Sequence, residues 1–337
     1  MNRAFDWKFW AGLVISAAFL YLALARVDLP RLWEIIRSAD LFLLLAAAVV
    51  VLIQYPLRAL RWGVLLAPLQ TTGFRNRFLA TLVGFAANCV LPARLGEFIR
   101  ANYLGASEDL SGSSALGTVV VERLFDGLTL LAVLALGLSV TEFPAAYTAL
   151  ATGLRAAGWL LLSAYVLLIL LLVGFKWKAP ACLALIDRLL FLLPKRFRTR
   201  VTEAVWNFSL GIVLLKGVRG WTLAALYSCA VWFFALVQIK VVSVSLGLDF
   251  PFEATLIVLA ITSLGVMIPS SPGFIGTFHL AAQYSFLVNG FSAEEGLSAG
   301  ILLHASFFIP TVLAGFLAFL SLHVPWKRLV PEGEPVE

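Results

Sequence analysis

Charged residues are scarce in this chain. They make up 13% of its 337 residues, whereas hydrophobic residues make up 61%, and soluble domains usually carry about 25% charged residues. The mean hydropathy of +0.95 therefore excludes an ordinary soluble enzyme domain. The sequence also lacks the alternating segments of about ten residues that form membrane β-barrels. Because backbone groups in lipid must be bonded within the protein, the long apolar runs predict an all-α polytopic membrane protein.

Cysteine and histidine are also rare, with three of each. Cys89, Cys182 and Cys229 lie far apart and form no C-x-x-C pair, which argues against a disulfide framework or a zinc site. We expect no metal and no other cofactor. The metalloprotease, phosphate-loop and dinucleotide motifs are absent. Residues 296–300 match G-x-S-x-G but open an apolar run instead of a strand–turn–helix elbow. The sequence thus predicts no catalytic residue and no enzyme.

The net charge of +6 does not indicate nucleic-acid binding, because the basic residues lie at the ends of apolar runs. Such a distribution is typical of segments that stay on the cytoplasmic side of a membrane. Residues 175–219 carry nine Lys or Arg residues against Asp187 and Glu203. The bias predicts an inner (cytoplasmic) membrane protein with both termini, 58–110 and 175–219 on the cytoplasmic side.

Six apolar runs are long enough to cross about 30 Å of hydrocarbon at about 1.5 Å per residue. The predicted spans are 9–25, 41–66, 113–140, 155–174, 220–247 and 296–322. The first run could instead be a signal peptide, since residues 23–25 read Ala-Leu-Ala, but it is long for the apolar part of a signal. We therefore expect a retained first span.

Two further apolar stretches, 77–91 and 253–268, are too short to cross comfortably. Each ends at a Pro-x-x-x-Gly sequence and is followed by a second helical stretch, 95–104 or 274–288. The expected helix breaks are Pro92, Gly96, Pro269, Pro272 and Gly273. These features predict two re-entrant hairpins that enter from opposite faces, which is typical of an inverted repeat. The alternative is that two proline loops match by chance.

The predicted organisation is one integral membrane domain over residues 1–330. Its first repeat covers about 41–140 and its second about 220–322. Between them, 176–219 is expected to be a basic amphipathic segment at the inner interface, because apolar residues follow a helical period behind a run of arginines. The tail 331–337 is expected to be disordered.

Charged and polar residues inside the apolar runs form a cluster, although each charge there costs roughly 2.5–3.5 kcal/mol on insertion scales. Surplus arginine favours phosphate, which the guanidinium binds bidentately. The predicted lipid-headgroup residues are Arg58, Arg61, Asn88, Arg94, Glu97, Arg100, Glu122, Arg123, Asp126, Ser270, Ser271, His279, Gln283 and His304. The alternative is a set of self-satisfied ion pairs that only stabilises the hairpins, and the i, i+3 spacing predicts that Arg123 can reach Asp126. We expect Arg58, Arg61, Arg94 and Arg100 to lack a matching acid.

Four sequence motifs resemble those of the lysylphosphatidylglycerol synthase/flippase transmembrane-domain family. They are Arg58-Ala-Leu-Arg61-Trp62, Asn88-x-x-x-Pro92-x-Arg94-x-Gly96-Glu97-x-x-Arg100, Val121-Glu122-Arg123-Leu-Phe-Asp126 and Ser271-Pro272-Gly273-x-x-Gly276. The resemblance runs from about residue 10 to 323. It implies a membrane module that moves lipids between leaflets, of which the best-known members move aminoacylated phosphatidylglycerol.

Two departures from that family weaken an aminoacyl-lipid assignment. The family's synthases carry a soluble aminoacyl-transfer domain after the membrane part, whereas this chain ends at residue 337. Many relatives also place an acid where this sequence has Thr277-Phe278-His279. The leading hypothesis is a flippase or transporter for an anionic, polyprenyl or hopanoid-type envelope lipid. The alternatives are a membrane-embedded transferase acting on a lipid carrier and a scaffold for envelope-lipid enzymes. The expected partners are membrane lipids, with a homo-oligomer or envelope-lipid biosynthetic enzymes as further possibilities.

Overall fold

The computed structural model describes residues 3–25, 27–91, 94–141, 148–177, 217–248, 251–268 and 270–322. Within these ranges the protein has eleven α-helices, one 3-10 turn at Pro272–Phe274 and no strand. The helices are α1 (Arg3–Leu24), α2 (Leu29–Ser38), α3 (Leu41–Leu66), α4 (Phe74–Val90), α5 (Gly96–Ser107), α6 (Gly112–Val140), α7 (Thr148–Trp177), α8 (Gly217–Ser245), α9 (Ala254–Met267), α10 (Thr277–Leu287) and α11 (Ala293–Leu320). The all-α prediction is confirmed.

Side-chain caps fix where several apolar runs become helical. The Asp40 carboxylate accepts hydrogen bonds from the backbone N–H groups of Phe42 and Leu43 at 2.8 and 3.2 Å, so α3 begins there. Ser292 and Glu295 cap α11 reciprocally, each side chain accepting from the other residue's N–H. Both caps satisfy N–H groups that a helix leaves unpaired in its first turn.

Three of the described helices, α3, α8 and α11, are long and apolar enough to cross a membrane. The pair α1 and α2, bent by 89°, adds a fourth if it counts as one span. The helix α6 coincides with the predicted span 113–140 but carries three charged residues in its middle. The count of six spans therefore stays a prediction. The predicted interfacial segment falls mostly on 178–216, and the predicted tail is 331–337. Both lie outside the described residues.

Two helices are broken where the sequence predicted breaks. We call α4 with α5 the first broken pair, and α9 with α10 the second. Pro92 and Pro269 lie outside the described residues, but Gly96 starts α5, and Pro272 and Gly273 form the 3-10 turn between α9 and α10. Gly96 lies so close to α4 that a Cβ atom there would be 1.9 Å from the Gly84 carbonyl oxygen. Gly273 has a φ of 78°, which favours glycine.

The order long helix, broken pair, long helix occurs twice, in α3–α6 and in α8–α11. The two halves exchange contacts: α4 packs on α11, α9 packs on α6, and α3 runs along α8. Glycines permit the first two contacts. A Cβ at Gly315 of α11 would be 2.2 Å from the Ala86 side chain, and one at Gly137 of α6 would be 2.9 Å from the Leu256 Cβ. Each broken pair is thus held by the long helix that follows the other.

Each half has its own apolar core. In the first, Trp62, Leu104 and Val119 are fully buried among side chains that come mainly from α3 to α6. In the second, Val242 and Phe286 are fully buried among side chains that come mainly from α8 to α11. For the parts of the protein outside the lipid, burial stabilises the fold by about 25 cal/mol for each Å² of apolar area removed from water. The charged cluster lies beside the first core.

Candidate functional site

The central ion pair of the first half joins α3 to α6. The Arg61 guanidinium donates from Nη1 to Asp126 Oδ1 at 2.6 Å and from Nη2 to Asp126 Oδ2 at 3.3 Å. It also donates to the Ser228 hydroxyl of α8 at 2.8 Å. The Arg61 side chain is completely buried. A bidentate arginine–carboxylate pair of this kind is rigid, so Arg61 and Asp126 fix the relative positions of three helices.

A second carboxylate, Glu122, is shared among three arginines. It accepts from Arg100 at 2.9 and 3.4 Å and from Arg123 at 2.5 Å, and its Oε1 lies 3.3 Å from Arg61 Nη2. Its side chain is also completely buried. Arg123 reaches Asp126 as well, at 3.4 Å, as the i, i+3 spacing predicted. Glu122 and Asp126 are therefore the α6 carboxylates of one continuous network of ion pairs.

The expectation that Arg61 and Arg100 lack acids is wrong. Both are buried against carboxylates, because α3 and α5 approach α6 at the height of Glu122 and Asp126. Arg58 is different: its nearest carboxylate oxygen belongs to Asp126 at 4.0 Å, and its guanidinium lies 4.7 Å from the centre of the Phe85 ring. Within the described part of the chain the Arg58 guanidinium makes no hydrogen bond, whereas the guanidiniums of Arg61, Arg100 and Arg123 each donate to at least one carboxylate.

The charges of this cluster do not cancel. We define the arginine cluster as Arg58, Arg61, Arg100 and Arg123 with Glu97, Glu122 and Asp126. Four cations face three anions, which leaves one positive charge in surplus. Three members reach the surface: the side chains of Arg123, Glu97 and Arg58 are 34%, 24% and 11% exposed. Glu97 is the acid held most loosely, with Arg123 Nε at 3.6 Å.

Phe85 of α4 is a site residue that the sequence reasoning missed. The guanidiniums of Arg58, Arg100 and Arg123 lie 4.7, 5.7 and 5.9 Å from its ring centre. A single aromatic face within about 6 Å of three cations stabilises them by cation–π attraction. Phenylalanine in an apolar run is normally read as a core residue, so no sequence signal separates Phe85 from its neighbours.

Three more residues near the cluster were missed. Ser228 and Trp232 lie one turn apart on α8, and the Trp232 indole N–H donates to Asp126 at 3.2 Å. The Trp62 ring lies 5.0 Å from the Arg100 guanidinium and donates to Thr118 at 2.8 Å. Two polar side chains at i and i+4 within a predicted span could have pointed to Ser228 and Trp232, since such groups need partners in lipid. Their partners on α3 and α6, Arg61 and Asp126, could be assigned only from the fold.

Two of the predicted headgroup residues stabilise the helix breaks. The Asn88 side-chain oxygen accepts from the Gly96 N–H at 2.9 Å, which closes the first broken pair. Arg94 has a φ of 53°, uncommon for a residue with a side chain. It donates to the Val266 carbonyl at 2.8 Å, in the last turn of α9. Cations are favoured at helix C-termini, so Arg94 links the tips of the two broken pairs.

The polar residues of the second half form a separate group. Ser271 pairs with Ser16 of α1 through its hydroxyl and its N–H, both at 2.8 Å. Ser270 accepts from the Thr277 hydroxyl at 3.3 Å. Gln283 donates to the carbonyls of Ala23 and Ala293 at 3.0 and 3.2 Å. These bonds attach the second broken pair to α1 and to the start of α11.

The two histidines of the second half lie next to each other. The rings of His279 and His304 are 4.9 Å apart, and His304 Nε2 is 2.7 Å from the Gly273 carbonyl oxygen. His279 Nδ1 accepts from the Gly276 N–H at 3.4 Å. In the ranges that the structure describes, no three His, Cys, Asp or Glu side chains lie together in a way that could hold a metal ion. The two histidines bond to the backbone of the turn at 273–276.

The family model described as the lysylphosphatidylglycerol synthase transmembrane region matches residues 9–315. The chain belongs to this family. The match covers the arginine cluster and both broken pairs, and it confirms the resemblance drawn from the four motifs. Together with the apolar helices α3, α8 and α11, it shows a multi-pass membrane protein.

Two curated relatives resemble nearly the whole chain. Glycosyltransferase AglD of Haloferax volcanii is 27% identical over 358 residues, which cover 97% of this chain and 56% of AglD. UPF0104 membrane protein MJ1595 of Methanocaldococcus jannaschii is 25% identical over 326 residues, which cover 92% of this chain and 94% of that protein. The chain thus spans little more than half the length of AglD.

The comparison with AglD corrects one prediction. The sequence was expected to have no enzymatic activity, but a protein that matches 97% of the chain is named a glycosyltransferase. This finding contradicts the expectation that the chain is not an enzyme. It rested on missing motifs of soluble enzymes, and those motifs say little about a transferase whose substrate is a membrane lipid.

Proposed function

We propose that this protein is a membrane-embedded transferase that acts on a lipid carrier with a phosphate headgroup. The observation that carries the proposal is Arg58, a guanidinium in a buried cluster with one surplus positive charge and no hydrogen-bond partner among the described residues. A phosphate would supply the missing negative charge and two acceptor oxygens. Arginine binds phosphate bidentately, which gives both affinity and orientation.

The remaining cluster acts as the frame of this site. Arg61, Arg100, Glu122 and Asp126 are buried and mutually paired, so they hold Arg58 and Arg123 in place and make no bond to the lipid. Preorganised charges lose little freedom when a ligand binds. The partly exposed Arg123 and Glu97 line the rim, where an incoming phosphate first meets the protein.

The lipid tail stays in the bilayer while the headgroup enters the cluster. Each CH₂ taken from an apolar environment into water costs about 0.8 kcal/mol, so a long tail is not withdrawn from hydrocarbon. The arginine cluster lies between α3, α5 and α6, and α3 is apolar enough to span. A headgroup therefore reaches Arg58 from the side, along the surface of the bundle.

Similarity to AglD supports a glycosyl group as the transferred group. AglD is named a glycosyltransferase, and its match includes nearly all of this chain. We infer that a lipid phosphate oxygen attacks the anomeric carbon of a nucleotide-activated sugar, so that the glycosyl–phosphate bond of the lipid forms while the bond from the sugar to the nucleotide breaks and the nucleotide leaves with its phosphate. The chain covers 56% of AglD, so the presence of a sugar-donor site on this chain is itself part of the proposal. Glu97, the loosely held acid at the rim, is the candidate for accepting a proton during transfer.

The membrane arrangement that we propose is an inverted repeat of α3–α6 and α8–α11 within one integral domain. The reciprocal contacts of α4 with α11 and α9 with α6 support it, because a twofold relation in the membrane plane produces such an exchange. The broken pairs then enter from opposite faces and meet at Arg94 and Val266. The charge bias supports an inner-membrane location with both termini cytoplasmic. The proposed partners are membrane lipids and envelope-lipid enzymes.

Binding of a polyprenyl monophosphate by the full chain in nanodiscs tests the proposal. Wild-type protein should bind the monophosphate but not the uncharged polyprenol, and Arg58→Gln should weaken binding at least tenfold. Arg77→Gln is the matched control, because Arg77 is a partly buried arginine of α4 whose guanidinium donates only to Thr72 among the described residues. Equal binding of phosphate and alcohol, or an unchanged affinity in Arg58→Gln, would contradict the site.

Transfer is tested in the same nanodiscs with a mixture of nucleotide-activated sugars. Mass spectrometry should find a glycosylated polyprenyl phosphate with wild-type protein and with Arg77→Gln, and a much smaller amount with Arg58→Gln. The second candidate function is translocation of the unmodified lipid. Contact between the two broken-pair tips through Arg94 favours it, since a link between opposed hairpins can open and close. Movement of unmodified polyprenyl phosphate across proteoliposomes, without product, would select translocation.

A further inference from the structure

A cavity lies between α6 and α7, along the part of α6 that follows the arginine cluster. Its volume is about 740 Å³, within the range of about 300–1,000 Å³ typical of ligand pockets. The lining residues are Leu131, Ala132, Ala135, Leu136, Leu138, Ser139, Arg155, Gly158, Trp159 and Leu162. Leu136 and Trp159 are 54% and 67% exposed, so the cavity opens to the surface of the bundle as a groove.

The groove is built by firm contacts between the two helices. At one end the Tyr165 hydroxyl bonds to the carbonyls of Leu124 and Arg123 at 2.9 and 3.1 Å. Gly158, which lines the groove, brings α7 close to α6, and a Cβ atom there would be 3.5 Å from the Leu134 side chain. The contacts at Tyr165 and Gly158 keep the two helices side by side along the groove.

Arg155 lies at the other end of the groove, at the C-terminus of α6. Its Nη2 is 3.4 Å from the Leu138 carbonyl oxygen, a long hydrogen bond to one of the last carbonyls of α6. The 29 residues of α6 extend about 43 Å at 1.5 Å per residue, more than the roughly 30 Å of hydrocarbon. A helix of this length extends beyond the hydrocarbon when it spans the bilayer, and on this basis we place the C-terminal end of α6 at headgroup depth. Trp159, one turn after Arg155 and exposed, is typical of that level.

We propose that this groove binds an anionic phospholipid, with one acyl chain along α6 and α7 and the phosphate on Arg155. Inside a bilayer an open apolar groove is filled by hydrocarbon, so the acyl chain accounts for the nine lining residues other than arginine. From Leu131 to Ser139 the groove extends about 12 Å, eight residues at 1.5 Å each, which suits an acyl chain better than a packed helix. Arginine at headgroup depth then selects a lipid with net negative charge.

This lipid site is independent of the proposed transferase site. Asp126 of the arginine cluster and Ser139 of the groove are 13 residues apart on α6, about 20 Å along its axis. Both helices that form the groove are present whether or not Arg58 binds phosphate. Failure of phosphate binding at Arg58 would therefore leave lipid binding in the groove unaffected.

A photo-crosslinking amino acid at position 136, exposed in the groove, tests the proposal in the full chain. Nanodiscs contain equal amounts of phosphatidylglycerol and phosphatidylcholine with identical acyl chains. After irradiation, mass spectrometry should show mainly phosphatidylglycerol adducts. Arg155→Gln should lower the ratio of the two adducts about tenfold, towards one. Ala135→Phe, which fills the groove, should reduce both adducts.

Arg37→Gln is the matched control. Arg37 is an exposed arginine stacked 4.8 Å from the Trp33 ring, an i, i+4 Trp/Arg pair on α2 that does not line the groove. This variant should keep the wild-type adduct ratio. The proposal is overturned if both lipids cross-link equally in wild-type protein, or if Arg37→Gln changes the ratio as much as Arg155→Gln. Cross-linking to another segment of the same chain would also overturn it, because that segment would then occupy the groove.

Discussion

The substitution Glu122→Gln separates the frame of the arginine cluster from its binding surface. Glu122 is completely buried and contacts Arg61, Arg100 and Arg123. Glutamine has nearly the same shape but no charge, so it leaves three guanidiniums to share the carboxylate of Asp126 and the partly exposed Glu97. Two positive charges are then in surplus instead of one.

The expected loss of stability is large. Removing one partner from a buried ion pair costs about 3–5 kcal/mol, because the other charge stays buried without compensation. A change of 1 kcal/mol shifts the unfolding midpoint of a protein larger than 150 residues by about 2 °C or slightly more. We expect Glu122→Gln to unfold about 6–10 °C below wild-type protein in the same detergent.

Thermal unfolding followed by circular dichroism measures this difference. Glu97→Gln is the control: its carboxylate is 24% exposed and lies 3.6 Å from Arg123 Nε, so its loss should cost less than about 1 kcal/mol. The double variant Glu122→Gln/Arg123→Gln restores the charge difference of the cluster and should unfold above the single variant. A Glu122→Gln midpoint within 2 °C of wild-type protein would refute the reasoning, and Glu122 would then not be part of the frame.

Three further substitutions test other parts of the structure. Gly96→Ala should lower the unfolding midpoint by several degrees, because its Cβ would lie 1.9 Å from a carbonyl oxygen of α4, whereas Gly153→Ala, with no atom within 4 Å of its Cβ, should not lower it. Arg94→Ala should fold with a smaller loss than Glu122→Gln but reduce translocation or transfer in proteoliposomes, and Arg94→Lys should restore part of that activity. Phe85→Leu should weaken polyprenyl monophosphate binding several-fold while the midpoint falls by a few degrees, because the removed cation–π contacts contribute about 0.5–2 kcal/mol.

The sequence predicted much of the fold because its signals are local. Apolar length locates the long helices, and the Pro-x-x-x-Gly sequences locate both helix breaks. Spacing along one helix also predicted the contact of Arg123 with Asp126. Local signals fail for pairs between helices: Arg100 and Glu122 are 22 residues apart, and Arg61 and Asp126 are 65 apart. Only the packing of α3 and α5 on α6 makes these arginines partners, so counting acids near each arginine in sequence gave the wrong surplus.

Because sequence does not identify partners on other helices, it also gave no partners for the predicted headgroup residues of the second half. Ser271, Gln283 and His304 stood out because polar residues in apolar runs need partners. The structure supplies those partners from α1, from the start of α11 and from the turn at Gly273. A sequence shows that a buried polar group requires a partner, but not whether a ligand or another helix provides it.

The two halves of the protein provide an internal comparison for the arginine cluster. Glu122 and Asp126 are 10 and 14 residues after the first residue of α6, and the residues at the same distances in α11 are Leu303 and Phe307. The second half therefore builds the same order of long helix, broken pair and long helix with apolar side chains at these positions. There, Leu303 and Phe307 line a cavity of about 110 Å³.

The comparison bears on why the charges are present. Replacing a buried ion network by apolar residues of similar volume is often neutral or stabilising, so such a network is weak evidence for a role in stability. Among the described residues, α8–α11 pack with Leu303 and Phe307 at the positions that correspond to Glu122 and Asp126, so the order of long helix, broken pair and long helix does not require the seven charges of the first half. Removing a single buried and paired member such as Glu122 is costly, yet the charges as a set are not needed for the fold. A ligand that uses the surplus charge at Arg58 accounts for both observations, and this is why we place the lipid phosphate in the first half.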